Sequence, residues 1–301
     1  MRYILVVFFL SVVVFASDVK ADENEELTPA QMQEFEASES KKSMENWLSG
    51  IFGLQPYRSN YLLPYGYSNK VYKSYTPTDK YQRNEAELQV SLKMNVARDL
   101  FGLGELYYLS YTHTAFWQLY AASSPFRETN YNPEGFVVFP VYDRDSNFNI
   151  RSIKFALAHK SNGQGNNKDV VYATPADNPG NRSRSINYVY STVRFEHGTL
   201  LSDLTLWYPF PESESGNDNP DIMKYLGYTE LKFTYFYQRS MFTLMGRGNF
   251  TTGKGAVEGT YSYPLMNDTY LYIKAFSGYG ESLIDYNNNL NKFSIGFSFS
   301  R

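Results

Sequence analysis

Connections of alternating length constrain this chain more than any other feature. Twelve segments have strand character: Ser59–Ser68, Glu85–Arg98, Gly104–Tyr120, Pro133–Arg144, Asn149–Lys160, Arg184–Glu196, Thr199–Phe210, Lys224–Gln238, Met241–Thr252, Ala256–Met266, Thr269–Gly280 and Asn289–Ser300. Every second junction is very short: DLFGL at 99–103, DSNF at 145–148, HG at 197–198, RS at 239–240 and ND at 267–268. Most of the others are long, among them 69–84, 121–132, 161–183 and 211–223. A soluble sandwich has no reason to sort loop length by parity. A barrel of the outer membrane does, with short periplasmic turns and long external loops. The segments mostly match the roughly 9 to 11 residues that cross a bilayer at a tilt. The last is the clearest, with Phe293, Ile295, Phe297 and Phe299 alternating with Ser294, Gly296 and Ser298. Aromatic residues form 18% of the chain, and 28 tyrosines outnumber 22 phenylalanines, which suits rings seated at a membrane interface. The expected fold is all-β, a twelve-stranded antiparallel transmembrane β-barrel. Pro64 inside the first segment belongs at an edge or a bulge.

The ends divide by composition. Residues 1–21 read as a secretory signal peptide: a single early cation, a short apolar run, and small residues for cleavage after Ala16 or after Ala21. Residues 22–56 are polar and acidic, an N-terminal lead-in expected in the periplasm, and residues 57–301 form the barrel. An exported chain with no cysteine has no disulfide framework, so its stability must come from the sheet and its interior. A net charge of −3 gives no electrostatic case for nucleic acid as a partner.

One stretch, Phe155 to Phe195, carries candidate chemistry. Side chains on one face of a strand recur every two residues. His159 therefore shares a face with Ile153, Phe155 and Leu157, while Lys154 and Lys160 take the other. On the returning strand Asn187 shares a face with Val189, Val193 and Phe195. If the N-terminus lies in the periplasm, His159, Ser161 and Asn187 all fall at the outer rim on the lipid-facing side. A serine hydroxyl needs a base to take its proton, and a neutral imidazole needs a partner to fix its tautomer. Ser161, His159 and Asn187 supply those roles, and the backbone amides of Asn162 and Gly163 can face an oxyanion. The plainer reading is that Ser-x-Gly with an intervening asparagine is a good turn sequence. Against it, polar groups facing hydrocarbon are costly and tend to be functional. Lys154, Arg194, Asp203, Glu230, Lys232 and Arg247 face the lumen, where mixed charges either plug a narrow barrel or line a pore. Open channels belong to wider barrels, so a plugged interior is expected. A barrel without catalysis, porin-like or adhesin-like, is the competing class, and the face of His159 separates the two.

The blocks AHKSNG…SRSIN, SSPFRETNYNPE, DNPDIMKYLGY and SGYGESLIDYN resemble the outer-membrane phospholipase A family, in the family's order and over about four-fifths of the chain. The resemblance implies a calcium-dependent enzyme of the outer membrane, active as a homodimer, that hydrolyses the acyl esters of phospholipids and lysophospholipids (A1/A2 type). By the same likeness Ser161 is the nucleophile, His159 the base, Asn187 its orienting residue and Gly163 the oxyanion-hole amide. Calcium falls to the carbonyl of Gln164, the hydroxyl of Ser183 and the carbonyl of the partner subunit's Ser123, hard oxygen ligands that suit this ion. Two departures stand out. The segment between Gln164 and Ser183 is longer than the family's, and a glutamine that pairs across the family's dimer is His113 here.

Overall fold

The structure, a computed structural model, describes residue 41 and residues 53–72, 80–141, 149–166, 181–211, 218–266 and 268–301. The chain divides into two units, Met1–Phe52 and Gly53–Arg301, and all the described strands belong to the second. The signal-peptide expectation for residues 1–21, and most of the lead-in, lie outside the described residues.

Twelve strands run antiparallel around a closed barrel: β2 (Tyr61–Ser68), β3 (Asn84–Arg98), β4 (Leu106–Trp117), β5 (Phe126–Pro140), β6 (Ile150–Ser161), β7 (Ser185–His197), β8 (Leu200–Pro209), β9 (Thr229–Tyr237), β10 (Ser240–Asn249), β11 (Lys254–Met266), β12 (Thr269–Gly278) and β13 (Leu290–Ser298). Each pairs with its sequence neighbours, and β13 pairs with β2 to close the ring. The short β1 (Leu54–Pro56) pairs with β3 below β2 and adds no thirteenth stave. Closure leaves no open edge, the condition for a sheet to cross hydrocarbon. Pro64 sits at an irregularity where β2 shifts register against both neighbours. Gly296 on β13 faces it so closely that a Cβ there would lie 2.2 Å from the Leu62 carbonyl and 2.6 Å from the Pro64 ring. Only glycine fits that approach.

Alternation sets the two surfaces. Along β13, Phe293, Ile295 and Phe297 are exposed on the outer belt, whereas Lys292, Ser294 and Ser298 are buried inside. The interior is filled from the rim that bears the long connections. A short helix, α1 (Ile222–Leu226), buries Ile222, Met223 and Leu226. The 279–289 connection folds in beside it, burying Leu283, Ile284 and Tyr286, and both pack on Phe136, Ile186, Tyr188 and Tyr190. Beneath lies a cavity of about 620 Å³, lined by the expected charged set, with Arg194 bound to both oxygens of Asp203 at 2.6 and 2.7 Å.

Two stretches differ from the sequence reading. The connection expected at 121–132 is strand from Phe126 onward, seven residues before Pro133. Its inward side chains are Glu128, Asn130, Asn132 and Glu134, all buried. A strand whose inner face is polar looks like loop in sequence, because the lumen it faces is itself polar. The strand expected from Lys224 begins only at Thr229, because Ile222–Leu226 form a helical turn closed by Gly227, whose N–H donates to the Met223 carbonyl at 3.1 Å.

Candidate functional site

The end of β6 and the start of β7 pair residue for residue, with His159 opposite Asn187 and Ser161 opposite Ser185. Phe155 and Leu157, four and two residues before His159 on its own face, are 52% and 57% exposed, while Ala156 and Ala158, which alternate with them, are buried. His159, Ser161 and Asn187 thus continue the outer, lipid-facing surface at the long-loop rim, as the period-two reading expects. His159 Nδ1 lies 2.7 Å from Asn187 Oδ1. An amide oxygen only accepts, so Nδ1 carries the proton and Nε2 keeps its lone pair free. That is the tautomer a general base needs.

The backbone behind the imidazole is also fixed. Pairing between β5 and β6 lapses at Asn132 and Pro133 without a change of register, since Tyr131 faces Ser161 and Glu134 faces Ala158. Proline has no N–H to give the ladder. The Asn132 side chain supplies the missing donor, reaching the His159 carbonyl at 2.9 Å.

Beyond Ser161 the chain turns through Gly163, at φ 64. A Cβ on that residue would sit 2.9 Å from the Tyr131 ring. Gly163 is therefore required both by its left-handed backbone and by the ring packed over it. Alanine there is expected to cost roughly 1–2 kcal/mol of backbone strain and to displace the turn beside Ser161. Gly163→Ala should keep the barrel but lose most turnover, measured as kcat on a micellar ester; wild-type kcat would show that the turn plays no part. Tyr131 also stands opposite His113 on β4, ring centroids 5.2 Å apart and edge-on, and His113 Nδ1 is 3.4 Å from the Tyr111 hydroxyl.

The oxygen groups expected to hold a cation are divided between two connections. The Ser183 hydroxyl donates to the Asp218 carboxylate, and Asn166 Nδ2 reaches the same carboxylate at 3.3 Å. Gln164 lies on the same side, with Arg182 Nε donating to its Oε1 at 2.7 Å. The interval from 167 to 180 lies outside the described residues. Ser123 and Ser124 both adopt positive φ, 61 and 41. The turn is held by Trp117 Nε1 donating to the Ser124 carbonyl at 2.8 Å and by the Ser124 hydroxyl donating to the Leu119 carbonyl at 2.8 Å. Asp218, Tyr131, Asn132 and Glu128 are site neighbours to which the sequence reading gave no role. The only signal was their place inside RETNYNPE and DNPDI, since their roles depend on contacts between strands.

A closed barrel with a polar interior, an apolar belt, and an oriented imidazole on the belt side of one rim defines an outer-membrane barrel of enzyme type. Comparison with known proteins names the family. The phospholipase A1 family model matches residues 37–299. Phospholipase A1 of Escherichia coli K12 is 35% identical over 251 residues, 81% of each chain. An active-site mutant of E. coli outer membrane phospholipase A, an asparagine replaced by alanine, superposes with a TM-score of 0.72 at 33% identity, covering 82% of this chain and 92% of that one. The outer membrane phospholipase dimer of Salmonella typhi with bound calcium gives a TM-score of 0.71 at 34% identity, covering 82% and 92%. The chain belongs to the phospholipase A1 family and is a phospholipase of the outer membrane.

Proposed function

We propose that this phospholipase hydrolyses the acyl esters of phospholipids and lysophospholipids, at both A1 and A2 positions, through Ser161, His159 and Asn187. The observation that carries the reading is the His159–Asn187 hydrogen bond of 2.7 Å on the lipid-facing surface, with Ser161 on the same face. His159 Nε2 takes the Ser161 proton as the hydroxyl attacks the ester carbonyl and returns it to the leaving alcohol; water, deprotonated by the same nitrogen, then attacks the acyl-Ser161 ester, releasing the fatty acid and restoring the hydroxyl. The Gly163 amide donates to the oxyanion. Asn187 holds the ring and accepts no proton. The active-site asparagine replaced in the E. coli structure supports this role for Asn187. Export by a signal peptide at 1–21 belongs to the same reading.

Calcium is the proposed cofactor, held by the Gln164 carbonyl, the Ser183 hydroxyl and the partner subunit's Ser123 carbonyl. These are all oxygen donors, and the Asp218 carboxylate beside Ser183 adds the negative charge that favours a hard divalent cation. Bound there, calcium supplies positive charge near the developing oxyanion. Shared ligands make the site complete only in a homodimer, so calcium affinity and dimerisation should strengthen each other by the same factor. His113, facing outward on β4, is proposed to lie in that interface.

Purified protein should release fatty acid from micellar phospholipid with calcium and lose that activity in chelator. Isotope-labelled acyl chains would report the position cleaved. Sedimentation in micelles should show dimers favoured by calcium, and Ser183→Ala should lose both responses. Absence of lipid hydrolysis with calcium present would overturn the reading. Full turnover by an isolated monomer would overturn the shared site.

A further inference from the structure

Glu128 lies at the outer end of β5, 1% exposed, and receives four N–H donors. Asn130 Nδ2 reaches Oε1 at 2.7 Å and the Ile284 backbone N–H reaches the same oxygen at 3.1 Å. Gln164 Nε2 reaches Oε2 at 3.0 Å and Asn162 Nδ2 lies 3.4 Å from it. Asn162 and Gln164 are the two residues that flank Gly163. Asn162 is tied further by its side-chain donation to the Arg182 carbonyl at 2.8 Å and by accepting the Arg184 N–H at 3.0 Å. The other oxygen is tied to the 279–289 connection, where Asn130 Oδ1 also accepts the Leu283 N–H at 3.1 Å.

We propose that Glu128 is a positioning residue for hydrolysis: its carboxylate clamps the side chains on either side of Gly163 and so aims the turn that follows Ser161. The proposal rests on the catalytic reading of Ser161 and Gly163. The reason is geometric. A glycine at positive φ has no side chain of its own to hold it, so its peptide is placed by its neighbours. Here both neighbours end on one buried carboxylate, whose second oxygen is anchored to the packed loop that plugs the lumen. A hydroxyl or an apolar residue at 128 accepts too few N–H groups to keep both anchors.

Glu128→Gln isolates the effect. The amide is nearly the same size, but in either orientation its NH2 faces two N–H donors, so one anchor is lost. The expected result is a fall in kcat of about ten- to a hundredfold, below the ~10²–10³ of removing an oxyanion donor outright, with KM within about twofold. Rates are referred to sites titrated with an alkylsulfonyl fluoride, so misfolded protein does not count. Glu128→Asp, which keeps four acceptor positions on a shorter stem, should recover part of kcat. Gln164→Met, which removes one donor and keeps the backbone carbonyl, should lower kcat in the same direction. A kcat per titrated site equal to wild type in both Glu128→Gln and Gln164→Met would overturn the proposal and leave Glu128 a purely structural group. Ser161→Ala is run alongside. If it retained turnover, the catalytic reading would fall and this proposal with it; if it is inactive while the Glu128 variants are normal, the clamp alone is refuted.

Discussion

Ser161→Ala is expected to abolish ester hydrolysis and leave the barrel folded. The hydroxyl is at the end of β6 on the outer face, where no ladder hydrogen bond depends on it, so its removal should not disturb the pairing with β7. In serine hydrolases the nucleophile and the base act as a unit, and loss of either costs on the order of 10⁶ in kcat. His159→Ala should therefore come close to the serine variant. Asn187→Ala should be about ten- to a hundredfold less severe, because Asn187 fixes the Nδ1 proton and exchanges none. The measurement is turnover of a short-chain ester in micelles, with heat-dependent gel mobility as the check on folding. Near-normal turnover by Ser161→Ala would refute the triad.

How much of this was legible depended on whether a contact lay within one strand or between strands. The face of His159 follows from counting by two, and Asn187 on a returning strand needs only an antiparallel partner in the right register. The barrel followed from loop parity, and Pro64 duly fell at a bulge. The polar start of β5 did not show, because strand signals read an apolar face and this strand's inner face is Glu128, Asn130, Asn132 and Glu134. Nor could the sequence show that register shifts where Trp117 faces Phe126 and Phe116 faces Glu128. The shift turns Arg127 inward along with Glu128, against strict alternation. The same limit hid the role of Glu281 and Asp285, which meet Arg127 of β5 although Asp285 stands 158 positions from it in sequence.

Those partners make Arg127 the second site of large effect. Its side chain is fully buried, with Nε and Nη2 on the two oxygens of Glu85 at 2.5 and 3.0 Å and Nη1 on Asp285. Its guanidinium stacks over Tyr72 at 4.0 Å and Phe116 at 5.1 Å. Lys292 bridges Glu85 at 3.1 Å, Glu87 at 3.3 Å and Glu281 at 2.7 Å, and Lys274 meets Glu87 at 2.6 Å. With Glu258, 3.4 Å from Lys274, five carboxylates (Glu85, Glu87, Glu258, Glu281 and Asp285) thus face three cations, Arg127, Lys274 and Lys292. Burial of Glu281, in the connection beyond β12, pushes its carboxyl above the usual range despite Lys292, and Glu85 and Glu87 push it the same way. The neutral form of Glu281 is thus favoured more in the folded barrel than in the unfolded chain, which lessens the cluster's negative excess.

Removing a cation and removing a surplus acid should then have opposite consequences. Arg127→Met leaves two buried carboxylates without their main partner, a change that costs about 3–5 kcal/mol. Glu281→Gln mimics the protonated carboxyl and should leave stability unchanged or raised. It should also flatten the pH response. A raised folded pKa means the native barrel holds a proton the unfolded chain has released, so wild-type stability falls as pH climbs from the unfolded carboxyl value, about 4.3, through the folded one. Denaturant midpoints in micelles across that range check both variants. Arg127→Met as stable as wild type, or Glu281→Gln with an unaltered pH slope, would show that the charges in this interior are screened by water and do not act as a closed network.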